Sequence, residues 1–201
     1  MPARCRGPLN IAVLLAACLI VKIADSDNFA TGENEARGVL IDQYGHPMPA
    51  SKLSGHYLLV YFGYTSCPDI CPTALATISR TLDLIGPQSE NVLPLFVTVD
   101  PARDTVAVMR GYVAHFNRRL IGLTGSPGAI AAARKAFDVT AKQRHPDENG
   151  KHAFDHSLFI YFAGPDGKVL RTFHASQPAA SIASDVRKLL PVVGPASGGG
   201  P

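Results

Sequence analysis

Within YFGYTSCPDICPT, Tyr61 to Thr73, Cys67 and Cys71 are separated by three residues, and each is followed by a proline. Such a pair can staple a fold as a disulfide, cycle between dithiol and disulfide, or hold a soft metal ion. In a helix, residues four apart share one face a turn apart, a separation that an S–S bond or a shared metal can bridge. A helix N-terminus also favours sulfur as the thiolate, because free backbone N–H groups and the helix dipole stabilise negative charge. Pro68 and Pro72 stiffen the stretch and remove two backbone donors.

The three chemistries make different demands. A loop this short removes little chain entropy, so a staple here falls toward the low end of the roughly 0 to 5 kcal/mol that disulfides contribute. Disulfide oxidoreductases commonly use a CxxC spacing and a cis-proline before the strand that faces the thiols. In this chain no proline stands between Pro146 and Pro165, and Phe154-Asp155-His156-Ser157 occupies that region. A metal needs at least a third ligand beside two thiolates. Structural zinc and iron–sulfur sites usually take four, and the other cysteines, Cys5 and Cys18, lie in a separate N-terminal segment. Two thiolates and one imidazole suit copper, as three-coordinate Cu(I) or as Cu(II) with a further weak ligand.

That N-terminal segment differs from the rest of the 201 residues. Arg4 and Arg6 precede an apolar run from Ile11 to Val21, the layout of an export signal or membrane anchor. The run is shorter than the roughly 18 to 20 residues that span a bilayer. Leu15-Ala16-Ala17-Cys18 is similar to a bacterial lipobox, in which Cys18 would be lipidated; otherwise Cys18 is a small apolar residue of the signal. Residues 1–24 are therefore expected to act as signal or anchor and 25–37 as a polar tether. Residues 38–192 form the domain, and 193–201 are a Gly- and Pro-rich tail expected to be disordered. An exported domain meets an oxidising compartment, where Cys67 and Cys71 are each other's only thiol partners. With 46% hydrophobic residues, 17% charged and a net charge of +3, the chain has an ordinary globular composition. Its scattered charges exclude a nucleic-acid footprint.

Apolar runs alternate with amphipathic ones along the domain. His56 to Phe62 and Asn91 to Asp100 predict strands buried on both faces. Pro72 to Ile85 predicts a helix, and so does Thr105 to Phe116, with Val108, Met109, Tyr112, Val113 and Phe116 inward. Arg119 to Gly125 reads as a short strand and Gly128 to Phe137 as a helix. Ser157 to Phe162 and Val169 to Phe173 flank GPDG as a hairpin, and Ala179 to Leu190 closes the domain as a helix. This order predicts an α/β domain with a central mixed sheet flanked by helices, a thioredoxin-like fold with an inserted strand and helix. Its functional edge lies where buried strands end and helices begin, where the two cysteines stand.

Seven histidines compete for the third ligand. His46 lies in the turn YGHP, His56 opens a strand, His115 is on a helix, His145 and His152 flank PDENGK, and His174 ends a strand. His156 precedes the apolar strand LFIYF, which such a fold brings against the cysteine loop. Spacing alone leaves the choice open.

Four separated motifs, FGYTSCPDICPT, FVTVDPARDT, RLIGLTG and DHS before a strand with a PDG turn, resemble the Sco/SenC family over roughly Gly38 to Leu190. The family consists of membrane-tethered copper proteins that help assemble the copper centre of cytochrome c oxidase. The resemblance implies a thioredoxin-like fold and copper ligands at Cys67, Cys71 and His156. It implies as partners the oxidase's copper-bearing subunit and a copper donor, and as location a bacterial inner membrane with the domain facing the periplasm. It also implies one of two activities, copper delivery or reduction of the subunit's cysteines, both of which need the same thiols; a Cys67–Cys71 disulfide would switch copper binding off. Val106 stands where the family usually has proline, a difference confined to a helix start. Asp155 is a candidate to orient the His156 ring from behind, or else a solvated loop carboxylate. Asp100 and Arg103 are read as an ion pair or a turn in which Asp104 or Thr105 caps the next helix, and Asp69 as solvent-exposed.

Overall fold

The computed structural model describes residues 38–145, 148 and 153–191. The expected anchor, tether and tail, together with His152, lie outside the described residues. Among those described, no helix is long and apolar enough to cross a membrane.

β3 (Tyr57–Gly63) and β4 (Val92–Thr98) are the two apolar runs read as buried strands. They pair in parallel from Tyr57 opposite Val92 to Gly63 opposite Thr98, so their C-terminal ends finish level. Around them the seven-stranded sheet runs β2-β1-β5-β4-β3-β8-β9. β5 (Ile121–Thr124) is parallel to β4, while β1 (Leu40–Asp42) is antiparallel to β5 and β2 (Pro47–Met48) to β1. β8 (Phe159–Ala163) runs antiparallel to β3, and β9 (Val169–His174) returns beside it as the predicted hairpin. The sheet is mixed and the order thioredoxin-like, as expected. A separate ribbon pairs β6 (Ala141–Gln143) with β7 (Phe154–His156).

Side chains alternate across β3, and both faces are covered, which is why its sequence is continuously apolar. Leu58, Val60 and Phe62 join Leu95 and Val97 of β4 in an apolar cleft beneath α1 (Ala50–Leu53) and α4 (Pro127–Ala136). Tyr61 and Gly63 face the start of α2 (Ile70–Ile85), which packs on the terminal helix α5 (Ala179–Leu189). α3 (Val106–Val113) lies against β5.

Several details differ from the sequence reading. α2 starts at Ile70, so Cys71 is in its first turn while Cys67 lies in the loop before it. The two thiols therefore do not share one helix face. Pro72 is the third helical residue, where its missing N–H is still no loss. Val108 is exposed (42%), because the buried stripe of α3 runs through Met109 and Val113, one position farther round the helix. Thr105, not Asp104, caps α3, accepting from the Val108 N–H. Elements of two to four residues, such as β1, β2, α1, β6 and β7, are too short to carry a readable period.

Two close contacts hold the cysteine loop at the level ends of β3 and β4. Asp104, fully buried, accepts from the Thr65 N–H (3.0 Å), the Thr65 hydroxyl (2.6 Å) and the Thr98 hydroxyl (2.5 Å). Its own carbonyl accepts from Thr124 at 2.7 Å, so one residue joins the cysteine loop to β4 and β5. Gly63 makes the second contact. A Cβ there would lie 2.7 Å from the Cys71 sulfur and 3.1 Å from the rings of Phe96 and Tyr61, so the glycine is needed for close approach.

Replacing Asp104 with alanine strands three donors and should cost about 2 to 4 kcal/mol in urea unfolding. Burial raises the Asp104 pKa, so its contribution is fully present below the unfolded value and lost as pH rises through the folded one. The stability of wild type relative to Asp104→Asn should therefore rise as pH is lowered from 7 toward 4. Gly63→Ala should cost about 1 to 3 kcal/mol by overpacking against the sulfur, measured in the same unfolding experiment.

Candidate metal centre

Three elements converge on the thiols. Cys67 comes from the loop after β3, Cys71 from the first turn of α2, and His156 from the last position of β7. Both cysteines are free thiols. Cys71 is fully buried, and Cys67 retains 8% exposure. His156 Nε2 stands 3.6 Å from the Cys71 sulfur across 85 residues of chain, and the imidazole also reaches Cys67 as a hydrogen-bond partner.

The imidazole is held from behind. Nδ1 of His156 lies 3.0 Å from the Ser157 carbonyl, which can only accept, so Nδ1 carries the proton and Nε2 turns its lone pair to the sulfurs. Ser157 is itself pinned: its N–H donates to the Thr140 carbonyl (3.0 Å), and its hydroxyl accepts from the Thr140 N–H (3.1 Å). Rings of Tyr61 and Tyr64 meet the His156 ring edge-on, each with centroids 5.9 Å away.

Asp155 does not take the orienting place. It is exposed, on the alternate position of β7, and pairs with Arg144, which holds its carboxyl below the usual carboxylate range. The Ser157 carbonyl does what Asp155 was a candidate for. Asp100 and Arg103 form the ion pair read as one alternative, and Asp69 is exposed as expected. Sequence reasoning missed Thr140, Ser157, Tyr61, Tyr64 and the anchoring role of Asp104. Ser157 lay within the DHS motif, but a carbonyl's role leaves no side-chain signature. The remaining described histidines have other surroundings: His46 contacts Asp42, His174 contacts Ser176, and His56, His115 and His145 are exposed.

The two thiols are electrically unequal. A hydrogen bond from Cys71, with further ones from backbone N–H groups, holds the Cys67 pKa well below the ordinary thiol value even though burial opposes it. The same bond to Cys67, followed by burial, pushes Cys71 up. Together the pair retains one proton, held by the deeper sulfur. Among the described residues no three His, Cys, Asp or Glu side chains stand close enough together to hold a metal ion as they are placed. The fold brings two sulfurs and one nitrogen into one place, with His156 Nε2 in contact with the Cys71 sulfur. Two ligands of one first-row ion, with bonds of about 2.3 Å to sulfur and 2.0 Å to nitrogen, stand roughly 3.5 to 3.8 Å apart. The observed 3.6 Å lies in that interval.

The family model described as SCO1/SenC matches residues 31–191. "Protein SCO2 homolog, mitochondrial" of Danio rerio is 39% identical over 150 residues, 74% of this chain and 54% of that protein, so the chain spans about half the length of this relative. The structure of Bradyrhizobium japonicum ScoI with copper bound superposes with a TM-score of 0.69 at 37% identity, over 76% of this chain and 96% of that one. BsSco, in which a disulfide switch was identified, is described as a member of the Sco family of cytochrome c oxidase assembly proteins. It matches with a TM-score of 0.60 at 27% identity, over 75% of this chain and 89% of its own. With a family model covering this much of the chain and a common fold, the protein belongs to the SCO1/SenC family.

Proposed function

We propose that this chain is a metallochaperone that carries copper to the copper centre of cytochrome c oxidase, with the thiolates of Cys67 and Cys71 and Nε2 of His156 as the cargo's ligands. The observation that carries this reading is the 3.6 Å approach of Nε2 to the Cys71 sulfur, with Nδ1 spoken for by a backbone carbonyl. Two sulfurs and a neutral imidazole are a soft donor set suited to copper. Cys67, nearer the surface than the fully buried Cys71, would offer one sulfur to a receiving thiolate site, while Cys71 and His156 hold from below. Residues 1–24 would tether the domain, residues 38–192, to the bacterial inner membrane so that it faces the periplasm, with 25–37 as spacer. The receiving partner would be the copper-bearing oxidase subunit, and a separate protein would donate the metal.

A second reading is favoured by the inequality of the thiols. A low-pKa Cys67, the less deeply buried of the two, beside a fully buried, protonated Cys71 is the arrangement of an attacking and a resolving thiol. In that role the chain would reduce a disulfide in the oxidase subunit: the Cys67 thiolate attacks one partner sulfur and releases the other as a thiolate, which can take up the Cys71 proton. Cys71 then gives up its proton, displaces the partner and leaves a Cys67–Cys71 disulfide. The same disulfide would remove both copper ligands.

His156→Ala separates the readings. For the chaperone, the reduced full-length variant should lose at least about 100-fold in Cu(I) affinity by chelator competition, and oxidase assembly should fail with it. Assembly that survives in His156→Ala but not in Cys67→Ser or Cys71→Ser would establish the reductase instead.

Because Cys71 must release its proton to ligate, affinity for Cu(I) should fall as pH falls, with protons released on binding. Alkylation tests the pair itself. Iodoacetamide should modify Cys67 before Cys71, with a rate that changes little between pH 8 and pH 6, read as singly modified chain by mass spectrometry. A rate that follows an ordinary thiol titration would contradict the assigned inequality.

A further inference from the structure

Among the described residues, the buried side-chain oxygens without a hydrogen-bond partner include the hydroxyls of Tyr61 and Tyr112. Leaving a buried donor unpaired costs stability, so such a group points to a state in which it is paired. Tyr61 is fully buried on β3, two residues before Gly63. The space left open by the missing Cβ of Gly63 is where the two groups meet: a Cβ there would lie 2.7 Å from the Cys71 sulfur and 3.1 Å from Tyr61 Cε1, a ring carbon next to the one bearing the hydroxyl. The Tyr61 ring also stands edge-on to His156, at 5.9 Å and 77°. It thus neighbours two of the three groups assigned to the cargo. The Cys71 sulfur lies close enough to its hydroxyl for the two to interact, yet a thiol is a weak acceptor, and the hydroxyl makes no hydrogen bond of normal geometry. Tyr112 differs: its ring packs at an angle against Phe96 and Phe116, and only its charge interaction reaches the thiols.

We propose that Tyr61 is a positioning residue for Cys71 in the copper-loaded protein, donating its O–H to the Cys71 sulfur when that sulfur serves as a ligand. This rests on the copper-binding reading above. A ligating sulfur carries negative charge, and hydrogen bonds to charged acceptors are roughly twice as strong as neutral ones, more so in a dry interior. A disulfide sulfur carries no such charge. The unpaired hydroxyl therefore biases the pair toward holding its cargo over both the metal-free dithiol and the disulfide, and the site's fit to copper is partly stored in an oxygen that no ligand motif contains.

Tyr61→Phe removes only that oxygen. In the reduced full-length chain, Cu(I) affinity by chelator competition should fall about tenfold, whereas Tyr112→Phe should stay within about twofold of wild type. The urea midpoint of Tyr61→Phe should be unchanged or higher, and its thiol–disulfide equilibrium with glutathione should move less than about twofold. With Cu(II), the thiolate charge-transfer band of Tyr61→Phe should shift to longer wavelength, since a sulfur relieved of a hydrogen bond gives up charge more easily. In wild type, adding Cu(I) should red-shift the absorption of a buried tyrosine, a measurement that stands even if the variant folds poorly. A folded Tyr61→Phe that binds Cu(I) as wild type does, or a wild type whose tyrosine absorption does not move on loading, overturns the proposal and leaves the chaperone reading intact. A reduced wild type that takes up no Cu(I) overturns both.

Discussion

The sulfur of Cys71 fills the space that a side chain on Gly63 would need. This close approach of helix to strand sets the depth of the site, and the other arrangements follow from it. It places a thiol inside the core, level with the ends of two parallel strands, where burial resists its ionisation. It leaves Cys67, in the loop just before α2, nearer to solvent. It also brings the first turn of α2 under the ribbon that carries His156.

The loop between β3 and α2 has little regular backbone pairing of its own, so something must hold it. Asp104 does this with a buried carboxylate, an unusual choice because burial makes the charge expensive. Three donors from Thr65 and Thr98 offset that cost and join the loop to β4. A neutral side chain of the same size has fewer acceptor positions and would hold fewer strands together. The site is rigid on the Cys71 side, where strand and helix are packed. On the His156 side a two-stranded ribbon, pinned through Thr140, Ser157 and the Arg144–Asp155 pair, provides the opposing wall.

Two neighbouring thiols of the same chemical type acquire different characters from these positions. One proton shared between them belongs to the deeper sulfur, and the outer one carries the negative charge. That difference would suit either proposed role: a fixed inner ligand and a less deeply buried outer one for copper transfer, a resolving and an attacking thiol for disulfide exchange. The same architecture would therefore accommodate both of the proposed activities.

Much of this was legible along the chain. The long buried strands β3 and β4, α2, the hairpin at GPDG and α5 all appear in periodicity and turn residues, because each is an element whose local pattern reports its burial. Residue types alone named copper as the metal that two thiolates and an imidazole would suit, and the motifs singled out His156 among seven histidines. Shorter pieces, β1, β2, β6 and β7, carry two or three residues each and no period to read. What the amino-acid order by itself determined was the set of reactive groups and the main layers that carry them. The tertiary structure alone decided that Cys67 and Cys71 do not share a helix face, that a carbonyl of Ser157 and not the carboxylate of Asp155 orients the ring, and that the thiols are unequal. The site they belong to depends on contacts between segments far apart in sequence, 85 residues for Cys71 and His156 and 39 for Thr65 and Asp104, and on the burial that those contacts create. Local sequence specifies backbone preference, whereas a proton's position depends on everything packed around it.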